Sequence, residues 1–273
     1  MTPPPGLSQP PPVDCLRALG RRGVVYVLPA LVACGLAAAG WWVAAGVVFW
    51  GAFVVFAWGA VNPGSGLFGP LVRRLPVARA ALGEVWLTVD DGPDPATTPT
   101  LLDMLDAHGA RAVFFLIGEK AALHPELVRE VARRGHGVGN HSLTHPAGWF
   151  WALTPGAVWR EVAGCQAVLG GILGVAPVWF RPPAGHHNIF VVPVIRALGL
   201  RMMVWDCRGY DAVWRDVGAV LRRIGRGLGP GSIILMHDAV PHAPAVLAGV
   251  LEMLRARGLR TGLPEGGGAG VSG

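Results

Sequence analysis

The segment from Glu84 to Asp94 has the sequence EVWLTVDDGPD. Its mostly apolar beginning predicts a buried β-strand over Glu84–Asp90. Two adjacent carboxylates, Asp90 and Asp91, end the strand, and burying them is costly unless each is paired or bound to a cation. Their side chains diverge, so that one carboxylate can bind a metal while the other acts as a base. The alternative is a solvated turn, because Asp, Gly and Pro are favoured in turns.

Strands and helices alternate after this segment. Further strands are predicted at Ala112–Ile117, His136–Asn140, Val178–Arg181, Leu200–Trp205 and Ser232–His237. Helices are predicted at Thr98–His108, His124–Arg134, Pro155–Leu173, Phe190–Leu198, Asp216–Leu228 and Pro244–Gly258. This alternation predicts an α/β fold with a parallel sheet, and about seven such units predict a (β/α) barrel.

A pair of histidines follows the third predicted strand, in the sequence HSLTHP at 141–146. The carboxyl ends of parallel strands meet on one face of a barrel, where active sites are built. His141 and His145 can point at one centre, and a neutral imidazole is a good ligand for zinc, nickel or cobalt. Asp91 would complete the ligand set and leave positions for water and substrate. For this spacing taken alone, two surface histidines are the alternative.

Two more clusters follow later strands. In RPPAGHHN at 181–188 the two prolines lack N–H groups and stiffen the loop, so the N–H of Ala184 is available as an oxyanion donor. Arg181 can hold a carboxylate in a two-pronged contact. In LMHD at 235–238, His237 is a candidate general acid. Each cluster alone has a structural alternative, a plain strand exit or a structural histidine.

These motifs, in this order, resemble those of the polysaccharide deacetylases of the NodB-homology group, carbohydrate esterase family 4. TVDDGPD matches the family's TFDDGP, HSLTHP matches its HSxxHP or HTxxHP, RPPAG matches RxPxG, and LMH matches LxH. The resemblance covers about residues 84–260. It implies a distorted (β/α) barrel of the NodB-homology type and a single divalent metal, usually zinc.

The resemblance also implies a role for each matching residue. Asp90 would be the general base, and Arg181 would tether it. The metal ligands would be Asp91, His141 and His145, with Zn²⁺ as the expected ion and Co²⁺ or Ni²⁺ as alternatives.

The remaining matches imply the other half of the mechanism. The Ala184 N–H would assist at the oxyanion, and His237 would protonate the leaving amine. Ala184 stands where the family often has an aromatic residue, so a ring that lines the substrate is lost. Arg208 stands where an Asp that supports His237 is expected, and Asp206 or Asp211 could substitute for it.

The distribution of charge favours a membrane surface as a partner. The net charge is +6, but residues 1–83 hold six Arg against Asp14 alone. The globular part therefore lacks the basic face that a nucleic-acid partner would need. The four cysteines form no CxxC pair, which argues against a disulfide framework or a cysteine zinc site.

The stretch Val24–Val61 is almost entirely apolar and 38 residues long. As one helix it would extend about 57 Å, against about 30 Å of bilayer hydrocarbon. Two transmembrane helices near 24–40 and 43–61, joined by a turn at residues 40–42, are therefore predicted. One tilted span with an interfacial helix, which would place the catalytic domain outside the membrane, is the alternative.

The predicted division of the chain is a disordered Pro-rich N-terminus (1–23), a transmembrane segment (24–61), a linker (62–83), a catalytic domain (84–260) and a disordered tail (261–273). Arginines flank both ends of the apolar segment, which favours a cytoplasmic location for both by the positive-inside rule. The expected protein is integral to the cell (inner) membrane with its catalytic domain facing the cytoplasm, and an extracytoplasmic domain is the alternative.

The combined prediction is a metal-dependent hydrolase that removes N-acetyl groups from an amino-sugar-containing glycan or glycolipid. An amidase acting on a non-sugar amide or a cyclic imide is the nearest alternative. A membrane-tethered glycan-binding protein with a decayed site is another. The complete metal-ligand set argues against decay, and Arg208 argues mildly for it. A metalloprotease is least expected, because HExxH is absent.

Overall fold

The computed structural model describes residues 20–266 of the chain, and their side chains from residue 27 onwards. Most of the predicted disordered N-terminus, residues 1–19, lies outside the described residues, as does the end of the predicted tail, residues 267–273. The predicted disorder is wrong for residues 20–23, which form the first turn of a helix that continues into the apolar stretch.

The apolar stretch forms two helices, α1 (Gly20–Ala38) and α2 (Trp42–Val61), that pack against each other. Gly40 has a φ of 81°, a left-handed conformation that glycine adopts without strain, and this lets the chain reverse in a short turn. The turn has the predicted length of three residues but lies at 39–41 and not at 40–42, because α1 ends at Ala38 and α2 begins at Trp42. By length and composition α2 could cross a membrane, whereas the apolar part of α1, Val27–Ala38, is shorter.

The rest of the described chain is built on one parallel sheet of eight strands. They are β1 (Glu84–Gly92), β2 (Ala112–Leu116), β3 (Gly137–Asn140), β4 (Trp179–Phe180), β5 (Arg201–Met202), β6 (Cys207–Arg208), β7 (Ile233–His237) and β8 (Arg260–Thr261). The order across the sheet is β5-β4-β3-β2-β1-β7-β6, and β8 pairs with the beginning of β1. The predicted α/β class with a parallel sheet is therefore confirmed.

The sheet is curled into a half-barrel that is open on one side. Its edge strands, β5 and β6, have two residues each and do not pair with each other in the described part of the chain. The linker bridges the two sides of the opening, since Val72 pairs with Met203 and Arg74 pairs with Ser232. The predicted barrel is thus distorted to the point of being open.

Helices connect the strands. They are α3 (Val77–Ala80), α4 (Thr98–Ala107), α5 (Gly118–Leu123), α6 (Pro125–Arg133), α7 (Pro155–Leu173), α8 (Val191–Ala197), α9 (Val217–Gly227) and α10 (Ala243–Ala256). The six predicted helices are all present, with ends within two residues of the predicted ones. The short elements α3, α5, β6 and β8 were not predicted, because they are too short to show a periodic pattern.

The catalytic region extends further towards the C-terminus than predicted. Gly262 donates its backbone N–H to the Val85 oxygen at 3.0 Å, which continues the pairing of β8 with β1. The Trp179 indole donates to the Glu265 oxygen at 3.2 Å. Residues 261–266 are therefore ordered by backbone contacts that their Gly-rich composition does not reveal, and the predicted boundary at residue 260 is wrong.

Alternation along β1 determines which of its side chains reach the site. Successive side chains of a strand point to opposite faces of the sheet. The odd-numbered residues from Val85 to Val89 are buried in the core beneath the helices. Trp86 belongs to the other core, with Phe115 and Trp205 inside the half-barrel. The same face therefore carries Asp90, and it ends at the carboxyl edge of the sheet.

Candidate active site

Three predicted metal ligands converge at the carboxyl end of the sheet. Oδ1 of Asp91 lies 3.3 Å from Nε2 of His141 and 3.1 Å from Nε2 of His145. One ligand atom from each residue lies within 4.8 Å of the others, so the group could hold a metal ion. Although Asp91 Oδ1 is buried, it accepts no well-formed hydrogen bond. A cation would satisfy this oxygen, so the three side chains fit a metal.

A local irregularity of β1 separates the two carboxylates. The pairing register of β1 with β2 shifts between Asp90 and Gly92, and Asp91, the residue between them, has a φ of 71°. A non-glycine residue in this left-handed conformation is uncommon and often marks a functional site. Lys120 holds the distorted backbone, because its Nζ donates to the backbone oxygen of Asp91 at 2.8 Å. The irregularity explains why Asp90 and Asp91 diverge.

The tautomer of His141 follows from its hydrogen bond. Its Nδ1 lies 2.8 Å from the backbone oxygen of Arg181, and a carbonyl oxygen can only accept. Nδ1 therefore carries the proton, and the lone pair of a neutral ring is on Nε2, which faces Asp91. A histidine that ligates a metal is usually oriented in this way by a partner on its other nitrogen.

The loop that carries His145 is held by Glu161 of α7. Oε2 of Glu161 accepts the backbone N–H groups of Leu143 and Thr144 at 3.1 and 2.9 Å, and Oε1 accepts the Thr144 hydroxyl at 2.8 Å. Ser142 Oγ accepts the His145 N–H at 3.1 Å. Burial, followed by the charge of His141, lowers the pKa of His145 to about 4. His145 is therefore neutral at pH 7, as a metal ligand must be.

Asp90 is paired with Arg181 inside the half-barrel. Arg181 Nη1 lies 2.6 Å from Asp90 Oδ1, and both residues are almost completely buried. The guanidinium also donates to Thr88 Oγ1 at 2.8 Å and lies 4.2 Å from the centroid of the Phe115 ring. The second oxygen, Asp90 Oδ2, lies 3.7 Å from Nε2 of His141. Arg181 thus occupies one oxygen of Asp90 and leaves the other facing the metal-ligand group.

His237 lies beside Asp90 in the sheet, because the two residues are register partners in β7 and β1. Asp211 Oδ1 lies 3.0 Å from His237 Nδ1, and Asp211 Oδ2 accepts the His237 backbone N–H at 2.7 Å. Burial alone would lower the pKa of His237, but the hydrogen bond and charge of Asp211 outweigh it and raise the pKa to about 9. His237 is therefore protonated at neutral pH.

Of the two acids predicted as possible supports of His237, only Asp211 contacts it. Asp206 instead accepts the Ile233 backbone N–H at 2.8 Å and pairs with Arg74 at 2.9 Å. The prediction for Asp206 is wrong, because this carboxylate precedes β6 and is turned towards the linker. Arg208 lies against the Tyr210 ring, 3.7 Å from its centroid.

Ala184, predicted as the oxyanion donor, lies in the loop that follows β4. Ala184 is exposed and has a φ of 53°, and its N–H donates to no other described residue. The loop is held from behind by the linker, since a Cβ on Gly185 would meet Pro63 Cβ at 2.6 Å.

The sequence and the fold are similar to those of known proteins. The family model described as polysaccharide deacetylase matches residues 80–203. The chitooligosaccharide deacetylase of Bradyrhizobium sp. (strain ANU 289) is 34% identical over 158 residues, which cover 58% of this chain and 71% of the relative. The chain belongs to the polysaccharide deacetylase family.

Other members of this polysaccharide deacetylase family match over similar ranges. The peptidoglycan-N-acetylglucosamine deacetylase PgdA of Listeria monocytogenes is 33% identical over 172 residues, 63% of this chain, but the chain spans only 36% of that relative's length. A family 4 carbohydrate esterase from Streptomyces lividans, solved in complex with acetate, superposes with a TM-score of 0.62 at 35% identity. That match covers 66% of this chain and 92% of the esterase.

Several supporting residues of this deacetylase-family site were not predicted. Thr88 could have been found from alternation, because it shares a strand face with Asp90. Glu161 is 17 positions away from the loop it holds, and Lys120 lies on the short helix α5, so no local pattern indicates either. Asp238 is buried and donates its backbone N–H to the backbone oxygen of Asp90 at 2.8 Å. In the sequence it was identified only as part of the His237 motif.

Proposed function

We propose that this protein is a metal-dependent hydrolase that removes N-acetyl groups from an amino sugar in a glycan or glycolipid. The observation that carries the proposal is the convergence of the Asp91–His141–His145 group with the Asp90–Arg181 pair, beside His237 on the neighbouring strand. The names of the relatives, deacetylases of chitooligosaccharides and of peptidoglycan N-acetylglucosamine, support this substrate class.

A divalent metal, with Zn²⁺ the best match, would be held by Asp91 Oδ1 and the Nε2 atoms of His141 and His145. Such an ion supplies Lewis acidity, which acidifies water and polarises a carbonyl oxygen. The side chains that would bind the ion are already in the form that a metal requires. The His141 tautomer and the lowered pKa of His145 both leave a neutral imidazole nitrogen available. Three protein ligands leave open positions for water and substrate.

Asp90 acts as the general base in this proposal. Its Oδ2 faces the metal-ligand group and can accept a proton from the attacking water, while Oδ1 is occupied by Arg181. The ion pair compensates the charge of Asp90 inside the half-barrel, where an unpaired charge would be costly. The Thr88 hydroxyl, which accepts from Arg181 and donates to the Ile234 oxygen at 2.6 Å, fixes the guanidinium in place.

His237 and Ala184 act on the other side of the acetyl group. Protonated His237 donates a proton to the leaving sugar nitrogen, because an amide anion is too basic to leave. Asp211 keeps His237 protonated and fixes its ring. The free N–H of Ala184 donates to the developing oxyanion, a contribution of about 3–4 kcal/mol for one such donor. Acetate and a free amine are the products.

We further propose that α1 and α2 cross the inner membrane as a hairpin and keep the catalytic domain on the cytoplasmic side. All but three residues of α2 are at least partly exposed, including Trp50 and Trp58, although the helix is strongly apolar. The His187 N–H donates to the Ala60 oxygen at 3.0 Å, which ties the end of α2 to the catalytic loop. The substrate would then be a lipid-linked or precursor glycan at the inner leaflet.

The test uses the full chain purified in neutral detergent and loaded with zinc. Acetate release is measured from N-acetylated chito-oligosaccharides and from a lipid-linked N-acetylglucosamine, with a cyclic imide as a competing substrate. We expect acetate from an acetylated sugar, and none from the Asp90→Asn variant. Hydrolysis of the imide alone would support the amidase alternative. Glycan binding without acetate release would support the decayed glycan-binding alternative.

A further inference from the structure

A cavity of about 490 Å³ lies where α2 enters the linker. Residues 62–64, the first of the linker, form one wall, and the segment 205–210 forms another. The residue that follows this segment is Asp211, which holds His237. The cavity therefore lies on the side of the site that carries the candidate acid, and its volume is in the range of ligand pockets.

The cavity is lined by arginines that have no acidic partner. They are Arg73, Arg208, Arg223 and Arg226. Within the described part of the chain, none of them lies within 4 Å of a carboxylate oxygen. The one carboxylate in the walls, Asp206, is paired with Arg74 at 2.9 Å. The cavity thus carries several positive charges that no carboxylate among the described residues pairs with.

Two of the guanidinium groups are held against the same aromatic ring. Arg208 Cζ lies 3.7 Å and Arg223 Cζ 4.5 Å from the centroid of the Tyr210 ring. Each contact is favourable, but the two like charges repel each other unless an anion lies between them. Tyr210 has a φ of 64°, an unfavourable conformation for a bulky residue of the kind that is concentrated at functional sites.

We propose that this cavity binds the phosphate group of a membrane lipid. The fork of an arginine matches phosphate oxygens in a two-pronged contact, so several of them together favour a phosphate. Exposed apolar side chains of α2 continue to Val61, which is directly followed by the cavity wall at residues 62–64. A headgroup can therefore enter the cavity while its acyl chains stay beside α2.

The departure from the family pattern at Arg208 has a physical reason in this proposal. Arg208 puts a cation where the family has an acid, and Asp211 supports His237 in place of that acid. The next step rests on the proposed function: the bound molecule is the substrate itself, in which a phosphate group links the amino sugar to a lipid. The phosphate lies among the arginines, and the sugar extends past Tyr210 towards His237.

The test is calorimetric titration of the full chain in neutral detergent, without metal or turnover, so it is independent of the proposed function. The ligands are dihexanoyl phosphatidic acid, dihexanoyl phosphatidylcholine and inorganic phosphate. We expect phosphatidic acid to bind at least about tenfold more tightly than the other two. Arg223→Gln should weaken it about tenfold, the loss of one charge-assisted contact, and Arg208→Asp should weaken it further.

Arg222→Gln is the matched control, because Arg222 lies on the same helix α9 with its side chain 67% exposed and does not line the cavity. Its affinity should stay within about twofold of wild type, since a solvated charge outside the site contributes little. Arg223 and Arg226 are exposed, so their Gln variants test the cavity even where Arg208→Asp fails to fold. Equal affinities for phosphatidic acid and inorganic phosphate, or unchanged affinity in Arg223→Gln and Arg226→Gln, would overturn the proposal.

Discussion

Asp211 holds His237 through both carboxylate oxygens, with Oδ1 3.0 Å from the ring nitrogen Nδ1 and Oδ2 2.7 Å from the backbone nitrogen. One residue thereby sets both the position of the histidine and its pKa. Burial opposes the charged form of His237, and the Asp211 contact outweighs it. His237, the proposed acid, is therefore protonated because of Asp211, which lies at a different position from the Asp that the family motif usually supplies.

The Asp211→Asn variant should shift the alkaline limb of the activity profile to lower pH. The pKa of His237 is raised to about 9, so its proton is present below that pH and is lost as the pH rises through it. A bound metal adds positive charge, which lowers this value in both proteins. Without the Asp211 charge, burial dominates and the pKa falls. Acetate release measured against pH checks the shift, and Asp206→Asn, which does not touch His237, is the control. Superimposable limbs for Asp211→Asn and wild type would contradict the role of Asp211.

The Arg181→Met variant should be strongly destabilised, because it leaves the buried carboxylate of Asp90 without its partner. Breaking a buried ion pair in this way costs about 3–5 kcal/mol of the free energy of unfolding. Adding Asp90→Asn should recover part of the loss, since the unpaired charge is then removed. Thermal unfolding in detergent, followed by circular dichroism, measures both effects. Arg160→Gln is the control, because the Arg160 side chain is exposed. A double variant no more stable than Arg181→Met would show that the pair is not coupled.

The hairpin proposal predicts where reporters fused to the chain are active. A green fluorescent protein fused after Gly273 should fluoresce, because the chain end lies in the cytoplasm. Alkaline phosphatase at the same place should be inactive, whereas alkaline phosphatase inserted after Gly40, in the turn between α1 and α2, should be active. An active phosphatase after Gly273 would overturn the hairpin and restore an extracytoplasmic glycan as the substrate.

The metal-ligand residues and their neighbours could be predicted because strand ends and short motifs are local in sequence. Asp90 and Asp91 end one strand, and His141 and His145 follow another, so a parallel sheet alone brings them together. The choice between Asp206 and Asp211 could not be made in this way. It depends on β6, a strand of two residues, and on the left-handed Tyr210, which together turn the two carboxylates in different directions.

The open half-barrel and the ordered C-terminal segment depend on contacts between distant parts of the chain. The linker residue Val72 pairs beside β5, and Glu265 accepts from Trp179 across the sheet, and neither contact has a periodic pattern in the sequence. The hold of Glu161 on the His145 loop is of the same kind. By contrast, both ends of α7 were predicted to the residue. The helix has local signals at its ends, since Thr154 caps its beginning and Gly174, with a φ of 74°, ends it.

The proposed division of roles between Asp90 and the metal ligands is tested by measuring bound zinc and acetate release in the same preparations of wild type, Asp90→Asn and His141→Ala. We expect one zinc per wild-type chain, full zinc content in Asp90→Asn with activity reduced by about 10²–10⁴-fold, and loss of both zinc and activity in His141→Ala. Asp90→Asn removes a base that is not a ligand, whereas His141→Ala removes a ligand. Loss of zinc from Asp90→Asn, or full activity in zinc-free His141→Ala, would contradict the proposed metal-dependent mechanism.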